Sequence, residues 1–413
     1  QSAALRHVFM AERTAQKIPG LAPDLERLPV NSIGIVGAGT MGGGIAMAFL
    51  AAGFPVTIIE TKQEALDRGV AHIRNTLQSR VDRGKLAKDK ADAQIAALTP
   101  SLDLAALAGA DLVVEAIFEK LEVKQELFGK LSAVIRPDAI LATNTSFLDV
   151  NAIAGGATHP ERVLGMHFFS PANIMRLLEV VRAEKTSDQV LSTVMALAKK
   201  LGKAAVVSGV CHGFIGNRML AARQIHADAL VLQGVLPWEI DRVLTDFGLA
   251  MGPFAMLDLA GLDISWEGEA DTVKSRLVAA GRKGQKTGGG YYDYAGKQAT
   301  PSQAALDVIA GLASAAPGSL TLDDAEILGR LLLPMINEGA KILEEGIALR
   351  GSDVDLVWVT GYGWPAHKGG PMFHADVIGL KNVVEGLEKI GIKPSPLLVK
   401  LANEGGSLAN YAG

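Results

Sequence analysis

The sequence predicts a mostly parallel, doubly wound α/β sheet followed by a duplicated all-α region, and three observations carry that prediction. From Ser32 onward, short apolar runs alternate with helical segments, the sequence form of a parallel sheet with crossover helices. After about Ser208 strands become scarce and long helical periodicity takes over. Within that second half, Gly252-Pro253 followed by Asp258-Leu259-Ala260-Gly261-Leu262 returns at one constant offset as Gly370-Pro371 followed by Asp376-Val377-Ile378-Gly379-Leu380. Upstream, Arg218-Met219-Leu220 pairs with Arg330-Leu331-Leu332 and Gly234 with Gly346, with a few inserted residues near 361–368 of the second copy. A duplicated helical unit is the simplest account.

In order along the chain, residues 1–30 read as a linker helix (2–17) and a connector punctuated by Pro19, Pro23 and Pro29. Residues 31–208 form the sheet domain, with strands expected at 33–36, 56–59, 112–116, 140–143, 163–169, 177–181 and 204–207. The charged stretch 62–98 is too long for an ordinary crossover and reads as a helical hairpin projecting from the sheet. Residues 209–310 form the first helical domain and 320–413 the second, with long helices at 217–232 and 323–349. The Gly-rich stretch 281–290 and the Ser/Ala/Pro-rich stretch near 311–319 read as a linker between the copies.

A chain of 413 residues suggests two or three domains and buries enough core to need neither disulfides nor a structural metal; no metal site is expected. The net charge of −4 leaves no basic footprint for nucleic acid, so an anionic ligand must be held by helix N-termini and single lysines. The one cysteine, Cys211, excludes an internal disulfide and points to a reducing, cytoplasmic compartment; the residue itself reads as a small buried side chain or a nucleophile. The nearest approach to a membrane span, 45–59, is broken by Gly53 and Pro55, so no membrane partner is expected. No signal peptide is recognised, the terminal Asn410-Tyr411-Ala412-Gly413 is not a peroxisomal or retention tag, and an opening Gln1 fits a fragment or a processed chain.

Gly37-Ala38-Gly39-Thr40-Met41-Gly42 follows an apolar strand directly and opens an apolar helix. Gly37 permits the tight turn, Gly39 admits a pyrophosphate, and Gly42 lets the helix pack closely. The helix N-terminus at Thr40 and Met41 supplies free N–H groups. Glu60 closes the second strand, where a carboxylate accepts both ribose hydroxyls and repels a 2′-phosphate; a Rossmann domain binding NAD rather than NADP is the reading. The bland alternative is a Gly-rich turn and a strand-terminal Glu that bind nothing.

Three segments fall at strand ends, where open α/β sheets hold ligands: Thr143-Asn144-Thr145-Ser146, His167-Phe168-Phe169-Ser170-Pro171, and Glu179 inside an apolar strand. Oxidising a secondary alcohol needs a base for the hydroxyl proton, and histidine titrates near neutrality. Glu179 interrupts Leu177-Leu178 and Val180-Val181, and a buried carboxylate needs a partner; on His167 it would fix the tautomer. Spacing alone leaves open a core histidine and an edge glutamate that never meet.

With Val114-Glu115-Ala116-Ile117, Glu119, Lys124, Asn144-Thr145-Ser146, the His167–Pro171 segment and Gly213-Phe214-Ile215-Gly216-Asn217-Arg218, the chain resembles the 3-hydroxyacyl-CoA dehydrogenases of fatty-acid β-oxidation. The likeness is to the C-terminal part of the multifunctional enzymes that fuse this activity to an enoyl-CoA hydratase. The resemblance implies His167 and Glu179 as the acid/base dyad, and Ser146 and Asn217 as contacts to the substrate. It implies Glu119, Lys124 and Asn144 as cofactor contacts beside Gly37, Gly39, Thr40, Met41, Gly42 and Glu60. For Lys124 an exposed helix lysine is the alternative. It further implies an acyl-CoA substrate, a hydratase domain upstream and a thiolase partner.

The expectation is therefore NAD-dependent oxidation of L-3-hydroxyacyl-CoA to 3-ketoacyl-CoA, in a cleft built with the first helical copy only. The second copy carries Gly329 where the first has Asn217; it reads as structural, making the isolated chain a monomer with an internal pseudo-dimer. Rival readings are a dehydrogenase of a free β-hydroxyacid and a non-catalytic NAD-binding scaffold. Lys283, Lys286 and the lysines near 85–90 are candidates for the CoA phosphates.

Overall fold

The computed structural model describes residues 1–22, 24–264, 271–296 and 298–413; Pro23 of the expected connector lies outside them. Two compact units are present: one comprises 2–218, 342–362 and 409–413, the other 219–341 and 363–408 with Gln1. Both are discontinuous in sequence, so the units cut across the linear boundaries expected at 30/31, 208/209 and 310/320. The cause lies in the helix Gly351–Gly361: it buries Val354, Leu356, Val357 and Trp358 and packs on strands of the sheet domain rather than within its own copy.

The first unit is built on eight strands: β1 Ile33–Val36, β2 Val56–Ile59, β3 Leu98–Ser101, β4 Leu112–Glu115, β5 Ile140–Thr143, β6 Val163–Phe168, β7 Leu177–Val181 and β8 Ala204–Ser208. Their order is β3-β2-β1-β4-β5-β6-β7-β8, with only β6–β7 antiparallel. Seven of these coincide with the expected apolar runs. Each of β1, β4, β5, β6, β7 and β8 is buried at every residue, as a parallel sheet covered on both faces requires. Ile33 and Ile35 join one core with the helices Thr40–Ala51, Gln63–Asp82 and Asp188–Lys200. Val36, Val113 and Leu141 join a second core with the helix Leu121–Val134.

β3 is absent from the sequence-based reading. It reads Leu-Thr-Pro-Ser and buries Leu98 alone, as befits an edge strand, the one place in a sheet that tolerates proline. The stretch 62–98 does hold two helices that pack on each other, Gln63–Asp82 and Lys88–Ala96, but the first of them also packs on the sheet unit. The helix Gln63–Asp82 lays Leu66, Val70, Ile73 and Leu77 into the core, and after the helix Lys88–Ala96 the chain returns as β3.

The N-terminal helix Ser2–Thr14 is likewise more than a linker. It buries Ala4 and Ala11, packs on the helix Gly351–Gly361, and sets His7 Nε2 2.7 Å from the fully buried Asp355 carboxylate.

In the second unit the internal repeat is visible residue by residue. Pro253–Ala260 and Pro371–Ile378 are helices of equal length with proline in the first turn. They end on Gly261 (φ 106°, ψ 122°) and Gly379 (φ 93°, ψ 122°), a conformation a side chain at Cβ would oppose. Each carries an aspartate that fastens the chain downstream. Asp258 accepts from the Tyr291 and Tyr292 N–H groups and the Tyr294 hydroxyl; Asp376 accepts from the Leu408 N–H and the Ser407 hydroxyl. The stretch 281–290 is consequently not a loose linker: it leads into a hairpin of β9 Tyr292–Ala295 and β10 Gln298–Pro301 anchored on Asp258.

Candidate active site

The glycine loop sits at the carboxyl end of β1, and each glycine has its own geometric reason. Gly37 has φ 105°, and a Cβ there would lie 2.5 Å from the Ala116 carbonyl. A Cβ on Gly42 would lie 1.8 Å from the Gly37 carbonyl, so the loop and the helix Thr40–Ala51 close on one another only as glycines. Gly39 differs: a Cβ there meets no atom within 4 Å. Protein packing does not demand that glycine, and its bare backbone faces outward at a helix N-terminus without a side-chain cap, an anion cradle. Glu60 lies against this loop, its Oε2 accepting from the Ala38 N–H at 3.2 Å and its Oε1 from the Thr61 N–H at 2.7 Å. A cavity of about 290 Å³ beside them is lined by Gly37, Glu60, Ile117 and Leu127. These residues fit a dinucleotide.

Next along the sheet, Lys124 is 1% exposed and set between two carboxylates, 2.6 Å from Glu115 and 3.3 Å from Glu119. The exposed-lysine alternative is thereby excluded. Glu115, at the end of β4, also accepts from the Thr143 hydroxyl and the Ile117 N–H. Glu119 Oε1 gathers the Thr145 hydroxyl and the N–H groups of Ser146 and Phe147. Burial pushes the Glu119 carboxyl up, but the Lys124 charge and those hydrogen bonds outweigh it and hold the group below its ordinary value. Glu119 and Lys124 thus shape the loop that presents Ser146. Asn144 ties that loop to β6, its Oδ1 accepting from the Phe168 N–H at 2.8 Å.

His167 and Glu179 meet. They stand directly opposite one another in the antiparallel β6–β7 pair, the position at which cross-strand side chains touch. His167 Nδ1 lies 2.7 Å from Glu179 Oε2, and the two side chains are 4% and 0% exposed. The second carboxylate oxygen accepts from the Gly216 N–H at 2.9 Å, the first residue of the helix Gly216–Leu232, so a helix N-terminus also steadies the charge. The bend that delivers this N–H is strained, with Gly213 at φ 79° and Phe214 at φ 50°. The Phe214 ring sits 5.6 Å from the His167 ring, and Phe169 covers it at 4.3 Å.

Asn217 follows Gly216 on the same turn, and its Oδ1 accepts from the Tyr362 hydroxyl at 2.8 Å. Tyr362 ends the helix Gly351–Gly361 and belongs to the second helical copy, so the expectation that only the first copy reaches the site needs correcting. Among the described residues, Ser146 shares no hydrogen bond with His167 or Asn217; its loop is tied to β6, beside His167, through Asn144. Cys211 is half-buried, its thiol pushed up by burial, the opposite of an activated nucleophile. Lys283 and Lys286 both pair with Asp263. Sequence reasoning assigned no role to Tyr362 and none to Glu115, although Glu115 carries the same signal as Glu179, a carboxylate in an apolar run.

A glycine cradle at a helix N-terminus and a buried histidine–glutamate pair on the same sheet are the elements of a nicotinamide-dependent dehydrogenase. The chain belongs to the 3-hydroxyacyl-CoA dehydrogenase family: residues 32–211 match its NAD binding domain and 213–294 its C-terminal domain. It is 39% identical to the peroxisomal bifunctional enzyme of Homo sapiens, over 98% of this chain and 61% of that one, and so spans less than two thirds of that relative's length. Its structure resembles 3-hydroxybutyryl-CoA dehydrogenase of Escherichia coli K12 (TM-score 0.78, 29% identity, 91% of this chain and 99% of that one). It also resembles the dehydrogenase part of multifunctional enzyme 1 of C. elegans (TM-score 0.67, 27% identity, 96% of each chain). Among the described residues no helix is long and apolar enough to cross a membrane.

Proposed function

We propose that this chain oxidises L-3-hydroxyacyl-CoA to 3-ketoacyl-CoA with NAD, as a step of fatty-acid β-oxidation. The observation that carries the reading is the buried His167–Glu179 pair, which holds Nδ1 and leaves Nε2 as the base. His167 Nε2 takes the 3-hydroxyl proton as the C3–H bond breaks and the C3–O double bond forms. NAD, when bound, accepts the hydride. Glu179 keeps the Nδ1 proton in place and balances the imidazolium that results. The Ser146 hydroxyl and the Asn217 amide donate to the 3-oxygen, which carries negative charge during transfer in either direction. Gly37, Gly39, Thr40, Met41 and Gly42 hold the pyrophosphate and Glu60 the ribose; Glu119, Lys124 and Asn144 shape the nicotinamide end.

Replacing His167 by Gln should lower turnover of acetoacetyl-CoA and longer 3-ketoacyl-CoAs by at least about a hundredfold, with NADH binding barely changed. Near-normal activity would overturn the assignment, and equal activity on the free acid would move the substrate class. The chain acting as a monomer with an internal pseudo-dimer is part of the proposal; light scattering giving twice 43.3 kDa would refute it. A hydratase domain upstream and a thiolase partner belong to the same proposal; the human relative, of which this chain spans 61%, is named bifunctional. The compartment is proposed as reducing; the human relative is named peroxisomal, and imaging of a tagged full-length protein distinguishes that site from the cytoplasm.

A further inference from the structure

We propose that Tyr362 is a positioning residue for Asn217, supplied to the active site by the second helical copy. The inference rests on the dehydrogenase reading above. A primary amide presents either its oxygen or its NH2 group, and the two orientations fill the same space. Only the NH2 group can bind the 3-oxygen of a hydroxyacyl or ketoacyl substrate while negative charge gathers there. The Tyr362 hydroxyl donates to Asn217 Oδ1 at 2.8 Å, which engages the oxygen and leaves Nδ2 as the outward donor. A donor fixed before the reaction need not reorganise during it.

The tyrosine is itself held. Its ring lies 4.9 Å from that of Trp358 and edge-on to Phe169 at 5.5 Å and 74°, and Phe169 is the ring that covers His167. Gly216 makes room for it, since a Cβ there would fall 2.2 Å from the Tyr362 ring and 2.4 Å from its hydroxyl. Comparison of the two copies isolates the hydroxyl. The first copy reads Phe247-Gly248 where the second reads Tyr362-Gly363, and both glycines have positive φ, 115° and 71°. Conversely, Asn217 of the first copy corresponds to Gly329 of the second. Each copy therefore holds one partner of the hydrogen bond and lacks the other, so the duplication has divided one device between its halves.

The test is a double-mutant cycle on the full chain with acetoacetyl-CoA and NADH. Tyr362→Phe should lower kcat about 3- to 10-fold, the worth of one hydrogen bond, while KM for NADH stays within about twofold. In the Asn217→Ala background the same change should cost nothing further. All four proteins are compared at a temperature where circular dichroism shows each folded. A Tyr362→Phe enzyme as active as the unsubstituted chain, or an equal loss with and without Asn217, overturns the positioning role and leaves the dehydrogenase reading standing. An unsubstituted chain that reduces no 3-ketoacyl thioester overturns that reading instead.

Discussion

Glu179 and Glu115 are the same residue type in the same kind of place, an apolar strand of one sheet, and both are entirely buried. Their partners make them different things. Glu115 is engaged by Lys124, the Thr143 hydroxyl and the Ile117 N–H, and the lysine's further contact is a second carboxylate, Glu119, so the network closes on protein groups. Glu179 spends one oxygen on a helix N-terminus and the other on an imidazole, and an imidazole has a second nitrogen. A buried carboxylate holds a scaffold when its network closes on other protein groups, and it supports chemistry when its partner keeps a second nitrogen for a ligand.

The comparison can be broken first at Lys124. Lys124→Met leaves the Glu115 charge buried with only neutral donors, which should cost about 3–5 kcal/mol in urea denaturation. A loss below about 1 kcal/mol would mean that Glu115 does not depend on the ion pair. Glu179→Gln should act on the reaction instead. The glutamine oxygen can still accept from Gly216 while its NH2 donates to His167 Nδ1, which places the imidazole proton on Nε2 and removes the base. Turnover should fall by at least about a hundredfold, with stability within about 1 kcal/mol of the unsubstituted chain. A variant that unfolds more readily but turns over normally would make Glu179 a second Glu115.

The same contrast explains what was legible in the sequence. Strands buried on both faces are written as apolar runs, so seven of the eight could be read directly; β3, half polar and carrying Pro100 at an edge, could not. The glycine loop was legible because Gly37 and Gly42 answer local packing demands and Gly39 leaves the helix N-terminus open. His167 and Glu179 were each conspicuous, but their meeting depends on the register of β6 against β7, which no local signal sets. Glu115 could have been found by the reasoning that found Glu179. Tyr362 could not, because its hydroxyl reaches Asn217 across 145 positions and only tertiary packing brings them together. The same packing gathers the end of the second copy and the N-terminal helix onto the sheet unit, which no linear division of the chain anticipates.

Asp353 supplies the third term of the series, a buried carboxylate that is poorly satisfied. It is 1% exposed, its Oδ1 has no hydrogen-bond partner among the described residues, and its other oxygen lies 3.3 Å from Arg350. Burial outweighs the arginine and pushes the carboxyl up to about 6. The folded chain thus holds this proton more tightly than the unfolded one. The stability associated with the protonated form is complete below the ordinary aspartate range and is lost as pH rises through about 6. Asp353→Asn carries no charge at any pH and keeps an oxygen for Arg350, so it should be more stable than the unsubstituted chain at pH 7.5 by about 1–3 kcal/mol. That advantage should shrink by about half at pH 5, which urea denaturation at the two pH values measures. An advantage that does not change with pH, or a loss at pH 7.5, would show that Asp353 is satisfied after all, and the scale from Glu115 to Asp353 would lose its lower end.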